Sequence, residues 1–355
     1  MEYHTVLTPH EMIRDPVFQL NAMIWLAQPC REMKSITPIF HDAGFAIYAV
    51  EPLLPIPPEV RLQADEAGVS IQQGVCPELV LHSKAERKFL YIECKASSFG
   101  AESSTSNQAR GLLICAGPRA ADILALDPSQ ISGSMVCYCL PEEHREALCD
   151  TLTSLTEELE GAGIGTGPSS AFGIEVGSAS LDLRVSTQAQ AFLGLAERSS
   201  FIVVDGENDP RPLYFLPYLP GEEQSNQEML YCRRVLFERM HGIVLVAVGR
   251  SRIRTRTVFK SDEVLNDAMF GVYRLWENRS SKKHVKRQYN KFFASLRDAV
   301  GEFVPGAVSF KDGEGWAVAV GDAENQESVV DAISRFRCET IDLGDDSQGD
   351  LFDGA

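Results

Sequence analysis

Three side chains in the first hundred residues have the types and spacing to do chemistry. Two of them lie in the run Tyr91-Ile92-Glu93-Cys94-Lys95. Side chains alternate faces along a strand, so Tyr91, Glu93 and Lys95 share one face, and Leu90, Ile92 and Cys94 share the other. The apolar set suits packing under a helix. A carboxylate and an amine at the end of a buried strand carry a desolvation cost unless each has a partner. Upstream, Pro77-Glu78-Leu79-Val80-Leu81 opens another strand, separated from the first by the polar turn Ser83-Lys84-Ala85-Glu86-Arg87. A hairpin through that turn brings Glu78 near Glu93. Two close carboxylates repel, and a divalent cation relieves the repulsion. Hard oxygen ligands suit Mg2+, with Mn2+ able to substitute. The expected chemistry is hydrolysis of a phosphate ester, in which the cation stabilises charge on the phosphate and activates water. Lys95 would orient or deprotonate that water, or stabilise the leaving charge. The plain alternative is a structural Glu93–Lys95 ion pair at a strand edge.

These residues need a scaffold, and the flanking sequence supplies one. Asp15-Pro16 reads as an N-cap with proline at the first helical position, opening a helix over 16–27. Thr37-Pro38 repeats the signal and Gly44 closes the short helix. Strands are expected over 45–51, 76–82, 88–95 and 134–140, and the proline-rich 52–58 reads as a surface excursion. A helix is expected over 107–125, broken at Gly117-Pro118, and another over 141–159, ending at Gly161. The resulting order is helix, three strands, helix, strand, helix.

This arrangement resembles the PD-(D/E)XK, or restriction-endonuclease-like, nuclease superfamily over residues 10–160. The family pattern places an acid after proline on one strand and Glu/Asp-x-Lys on the next. Here those positions are Pro77-Glu78 and Glu93-Cys94-Lys95. The resemblance implies an α/β fold with a mixed central sheet flanked by helices, and Mg2+-dependent cleavage of phosphodiester bonds, DNA before RNA, in restriction, phage defence or repair. It also implies a metal ligand in the Cys94 backbone carbonyl and a catalytic role for Gln108 on the following helix. The sequence departs from the family in having Glu rather than the commoner Asp at position 78. The upstream helical glutamate of some members has three competitors, Glu11, Glu32 and Glu51. A reading from another class is a non-catalytic nucleic-acid-binding or scaffold subunit that keeps the nuclease fold.

The glycine-rich run 161–170 reads as a linker. It sets the expected division: a nuclease-like domain over 1–163, a second α/β or α+β domain over 164–343, and an acidic, disordered tail over 344–355. In the second domain a helix is expected over 226–240, then a buried strand over 243–248 and a long helical region over 262–300. Arg250, Arg252, Arg254 and Arg256 alternate with uncharged residues. At strand spacing they form a row roughly 6.7 Å apart, comparable with successive phosphates. Lys282 and Lys286, and Lys283 and Arg287, stand four residues apart and make one basic helix face. Both stretches are candidates for nucleic-acid binding, against the alternative of solvated basic surface. In the tail, Gln348, Leu351 and Phe352 resemble the peptide by which bacterial DNA-processing proteins dock on the replication sliding clamp. The resemblances together allow the clamp, or other subunits of a defence complex, as partners.

Composition bounds these readings. The chain has 355 residues with a formal net charge of −17, which argues against a non-specific nucleic-acid coat and leaves room for a local basic groove. Hydrophobic residues at 44% are ample for real cores. No apolar run is long enough for a membrane helix and no secretory signal is evident, so a cytoplasmic protein is expected. Nine cysteines without framework spacing read as free thiols. The grouping Cys137, Cys139, His144 and Cys149 is too loose to read as a zinc site.

Overall fold

The computed structural model describes residues 8–29, 36–203, 227–250, 255–321 and 323–341. The chain divides into two compact units, 1–213 and 214–355.

The first unit opens with α1 (Pro9–Met12), α2 (Pro16–Ala27) and α3 (Ile39–Asp42), followed by β1 (Ala46–Val50). A small ribbon of β2 (Leu54–Pro55) and β3 (Gly74–Val75) brackets α4 (Pro58–Glu66). β4 (Leu79–Ser83) and β5 (Lys88–Cys94) form the expected hairpin. α5 (Ser104–Cys115) and α6 (Ala120–Ile123) lead to β6 (Gly133–Pro141), and α7 (Arg145–Gly161) leads to β7 (Ser169–Val176). β8 (Ser180–Val185), α8 (Thr187–Leu193) and β9 (Arg198–Val203) complete the unit.

The fold is mixed α/β around a seven-stranded sheet in the order β1-β4-β5-β6-β7-β8-β9. β1, β4 and β5 are antiparallel neighbours; β5, β6 and β7 run parallel, joined through α5 and α7; β7, β8 and β9 are again antiparallel. Parallel neighbours need such helical crossovers. One sheet face, carrying Val80, Tyr91, Val136 and Tyr138, packs under Leu112 and Leu113 of α5 and under Leu148, Leu152, Leu155 and Leu159 of α7. α2 covers β4, β5 and β6 and is buried from Val17 to Ala27. A helix apolar on every side belongs inside a core. Asp15 caps it, accepting the Val17 N–H at 2.9 Å.

Several expectations are corrected. The glycine run 161–170 is no linker: β7, which begins within it, pairs in register with β6 (Val136 opposite Ser169), and Ile164 is buried. The glycines serve close approach. A Cβ on Gly167 would lie 1.9 Å from the Ala116 carbonyl oxygen, and the Gly167 N–H donates to the Leu113 carbonyl at 2.9 Å. The expected boundary at 163 therefore falls inside the first unit.

In the second unit, α9 (Gln227–Gly249) absorbs the strand expected at 243–248. Leu236, Met240, Val244 and Val248 are buried at four-residue spacing, and Val246 between them is 48% exposed. Helical burial overrides the β propensity of this valine-rich run. Next come β10 (Arg256–Phe259), α10 (Ser261–Ala268), α11 (Val272–Leu275), α12 (Arg279–Gly301), β11 (Val308–Lys311), β12 (Gly315–Ala319) and α13 (Ala323–Arg335). The expected long helix over 262–300 is thus three. Gly271 at φ 92° interrupts it once, and Asn278 starts it again by capping the Ser280 and Ser281 N–H groups. The three strands form a sheet in the order β10-β12-β11, under which Phe292, Phe293 and Trp316 are buried. Among the described residues no helix is long and apolar enough to cross a membrane.

Candidate active site

The β4–β5 hairpin sets the site. Leu79 pairs with Ile92 and Val80 with Tyr91, so one further step of the register puts Glu78 opposite Glu93. The parallel pairing of β5 with β6 puts Glu93 beside Tyr138. Both glutamates fall on the sheet face that α5 crosses.

Glu93 is 2% exposed. Its Oε1 accepts from Lys95 Nζ at 2.8 Å and from Gln108 Nε2 at 2.9 Å. Its Oε2 is buried with no hydrogen-bond partner. Glu78 Oε2 accepts the Cys94 backbone N–H at 3.0 Å. The structure thus gathers Glu78, Glu93, Lys95 and Gln108, drawn from two strands and a helix.

The electrostatics set two buried carboxylates against each other. Burial, then repulsion from Glu93, raises Glu78 well above the ordinary carboxylate range, against the pull of Cys94 and Lys95. Burial raises Glu93, opposed by Lys95, by Gln108 and by the Glu78 backbone, which lies close without forming a hydrogen bond to Oε2. Burial lowers Lys95, but Glu93 and Glu78 outweigh it and the amine is held above its usual value. The Tyr138 hydroxyl is buried and without a partner; burial and then the charges of Glu93 and Glu78 push it up.

Two positioning elements lay outside the sequence expectations. Gln19, fully buried on α2, donates from Nε2 to the Lys95 carbonyl at 3.0 Å and to the Ile13 carbonyl at 2.7 Å, and its Oε1 has no partner. The available signal was a lone glutamine in the apolar run Pro16-Val17-Phe18-Gln19-Leu20. Arg110 on α5 binds Glu158 of α7 through Nε at 2.7 Å and also reaches the Ser106 and Asn107 side chains and the Ala101 carbonyl. It ties the loop after Lys95 to the helix that presents Gln108. The competing upstream glutamates are placed differently. Glu11 closes a capping box with Thr8, Glu51 hands its backbone N–H to the Glu78 carbonyl at 3.0 Å, and Glu32 lies outside the described residues.

Among the described residues no group of three or more His, Cys, Asp or Glu side chains is arranged to hold a metal ion. Cys137 and Cys139 are buried on β6, and Cys149 stands on α7. Glu78 and Glu93 supply two carboxylates, a set that suits Mg2+, which keeps waters and takes further oxygens from a phosphate. The buried Glu93 Oε2 fits such an ion, since it leaves a carboxylate oxygen without a hydrogen-bond partner.

The other candidate residues separate. Arg250 follows the end of α9, its N–H bonded to the Val246 carbonyl at 3.0 Å, so it does not extend a strand row. Arg256 is on β10 and pairs with Glu314 at 2.8 Å, while Arg252 and Arg254 lie outside the described residues. Lys282, Lys283, Lys286 and Arg287 stand on α12. Gln348, Leu351 and Phe352 lie outside the described residues. No protein-family model, curated protein or solved structure matches the chain.

Proposed function

We propose that the first unit is a divalent-metal-dependent nuclease of the PD-(D/E)XK type, hydrolysing phosphodiester bonds of DNA. One observation carries the reading: on Glu93 both donors, Lys95 and Gln108, converge on Oε1, while Oε2 is buried, bare and on the same face as a second carboxylate. The strand order supports it, with an antiparallel β1-β4-β5 meander followed by a helical crossover to parallel β6, the order the sequence resemblance implies.

Glu78, Glu93 and the Cys94 carbonyl would hold Mg2+, with Mn2+ as substitute. The ion would supply charge stabilisation at the phosphate and acidify water. The chain's own groups do the rest. Glu93 and Glu78 favour the charged form of the Lys95 amine against its burial. Its role is therefore donation: it orients the attacking water or steadies developing negative charge. Its side chain is 25% exposed, which leaves it within reach of a substrate from solvent. Gln108 fixes the Glu93 rotamer from α5, and Gln19 fixes the backbone at Lys95 from α2. Restriction, phage defence or repair is the setting that the resemblance implies, with the sliding clamp or defence-complex subunits as partners of the tail.

The Lys95–Glu93 ion pair at 2.8 Å also favours a second reading, a scaffold that keeps the fold and closes the site with a salt bridge. Incubating the full chain and its Lys95→Ala variant with linear and circular DNA, with and without Mg2+, separates the two. The nuclease reading expects cleavage that needs both the metal and Lys95. Absence of metal-dependent cleavage in the wild-type chain under every condition would leave the scaffold.

A further inference from the structure

The second unit contains a cavity of about 800 Å³ framed by the start of α10, by α11, by the first turns of α12 and by the β11–β12 turn. Six cationic side chains line it, Lys260, Arg274, Arg279, Lys282, Lys283 and Lys286, with two carboxylates, Asp262 and Glu314. This runs against a chain whose net charge is −17.

Carboxylates neutralise the cavity only in part, with Lys260 also paired, 3.7 Å from Glu263. Asp262 pairs with Lys286 at 3.0 Å, and Glu314 is held by Arg256 at 2.8 Å and by Lys311. Both partners of Glu314 come from outside the lining. Arg274 and Arg279 are exposed and have no carboxylate partner among the described residues. Lys282 is drawn inward over the Tyr273 ring, its Nζ 4.9 Å from the centroid. Burial, then repulsion from Lys286, holds Lys282 below its ordinary pKa, although Asp262 opposes both. Helix α12 begins at Arg279, so the positive end of a 23-residue helix adds to the same field.

We propose that this cavity binds consecutive phosphates of a nucleic-acid strand, independently of any cleavage by the first unit. A single phosphate needs one or two cations. Here they come from separate elements around a space much larger than one phosphate, as tracking a backbone requires. Arg279, at the helix start, and Lys282, one turn along, would make the central contacts. Arg274 on α11 and Lys260 before α10 would hold neighbouring phosphates. An anion beside Lys282 would favour its charged form against burial and the repulsion from Lys286.

The test uses the full chain carrying Glu93→Gln, in EDTA, so that the readout is binding alone. Anisotropy of a labelled single-stranded DNA of about 20 nucleotides is followed across a salt series, with an Arg279→Glu/Lys282→Glu double variant and, as a folding safeguard, Arg279→Gln/Lys282→Gln. Lys84→Glu, an exposed charge change in the first unit, is the control. The expected result is that charge reversal weakens binding at least about tenfold and flattens the salt slope by roughly 1.4, the share of two phosphate contacts on a single strand. The neutral variant should show the same direction and Lys84→Glu little change. Unchanged affinity and slope in both cavity variants overturn the proposal, as does an equal loss from Lys84→Glu. ATP or tripolyphosphate competing at the same phosphate concentration as the oligonucleotide also overturns it, by marking the cavity as a small polyphosphate pocket. A wild-type chain that binds the oligonucleotide in this way yet shows no Mg2+-dependent cleavage would sink the nuclease reading and leave this one standing.

Discussion

The seven-stranded sheet holds two carboxylates that are equally hidden, Glu93 on β5 and Asp182 on β8, each 2% exposed. Their surroundings differ in kind. Asp182 has both oxygens satisfied: Oδ1 accepts from Ser180 Oγ at 2.8 Å and Ser200 Oγ at 2.6 Å, and Oδ2 accepts from Arg198 Nε at 2.8 Å. Burial alone would raise its pKa, but these bonds outweigh burial and lower it. Glu93 gathers both donors on one oxygen, leaves the other bare, faces a second carboxylate and is raised. A buried charge with a full set of partners is a structural fastening. A buried charge left half-satisfied beside another of the same sign is the kind of arrangement that a cation would relieve, which is what the proposed function assigns to it.

The largest expected effect breaks the comparison by activity. Glu93→Gln should lower Mg2+-dependent cleavage by about 10²–10⁴-fold, the range for losing a group that acts on the reacting centre. Asp182→Asn should leave the specific activity of the folded protein within about twofold, being far from any reacting atom. Equal losses in the two variants, scored on DNA cleavage, would remove the distinction between them.

Stability sharpens the same contrast through opposite signs. Without metal, Glu78→Gln should raise the melting temperature, because it removes a charge that burial and Glu93 disfavour while retaining an acceptor for the Cys94 N–H. Asp182→Asn should lower it, because an amide cannot accept from Arg198 and both serines together. The loss is about 1–3 kcal/mol for a buried group left unsatisfied, or some 2–4 °C per kcal/mol at this size. Thermal melts in EDTA decide it, and a fall in both variants would count against the incomplete-site reading of Glu78.

Legibility followed the same physical line. Glu78, Glu93 and Lys95 could be placed together because strand alternation and one polar turn determine which side chains meet. Gln19 could not, since a single polar residue in a buried helix reveals its partner only once α2 lies across β5. Tyr138 was hidden for a related reason: its place beside Glu93 depends on the parallel register of β6, which no local pattern encodes. The glycines at 165 and 167 read as flexibility because close backbone approach and linker use the same residue. Val244 to Val248 read as a strand because β-branched composition dominates any short window, while the burial period emerges only over the full length of α9. Residues that touch through local repetition were visible; of those brought together by a crossover, Gln108 was named only through the resemblance.

A third effect is smaller and concerns pH. Both Glu78 and Glu93 are raised in the folded protein, so the stability linked to their protonated form is present below the ordinary carboxylate pKa and is lost as pH rises through the raised values. Mg2+ competes with those protons. The melting-temperature gain from Mg2+ should therefore grow from pH 5 to pH 8 in the wild-type chain and flatten in Glu78→Gln. A gain independent of pH would mean that the ion binds elsewhere.

The smallest expected effect lies one layer behind the carboxylates. Gln19→Leu keeps the volume of α2 and removes the donors to the Lys95 and Ile13 carbonyls. The stability loss should be about 1–3 kcal/mol from carbonyls left unpaired, which any buried hydrogen bond would show. The informative readout is the Mg2+ concentration at half-maximal cleavage. The Cys94 carbonyl and the Lys95 amine flank the peptide that Gln19 pins, so loosening it should shift that midpoint several-fold upward, as outer-shell changes do at metal sites. Gln19→Glu offers a contrast of sign. A carboxylate there cannot donate to Lys95 O and puts a buried negative charge against that carbonyl, so cleavage should fall further than in Gln19→Leu. A Gln19→Leu protein that melts lower yet keeps its Mg2+ midpoint would reduce Gln19 to packing, and the positioning of Lys95 would then rest on β5 and on its N–H bond to the Cys139 carbonyl of β6.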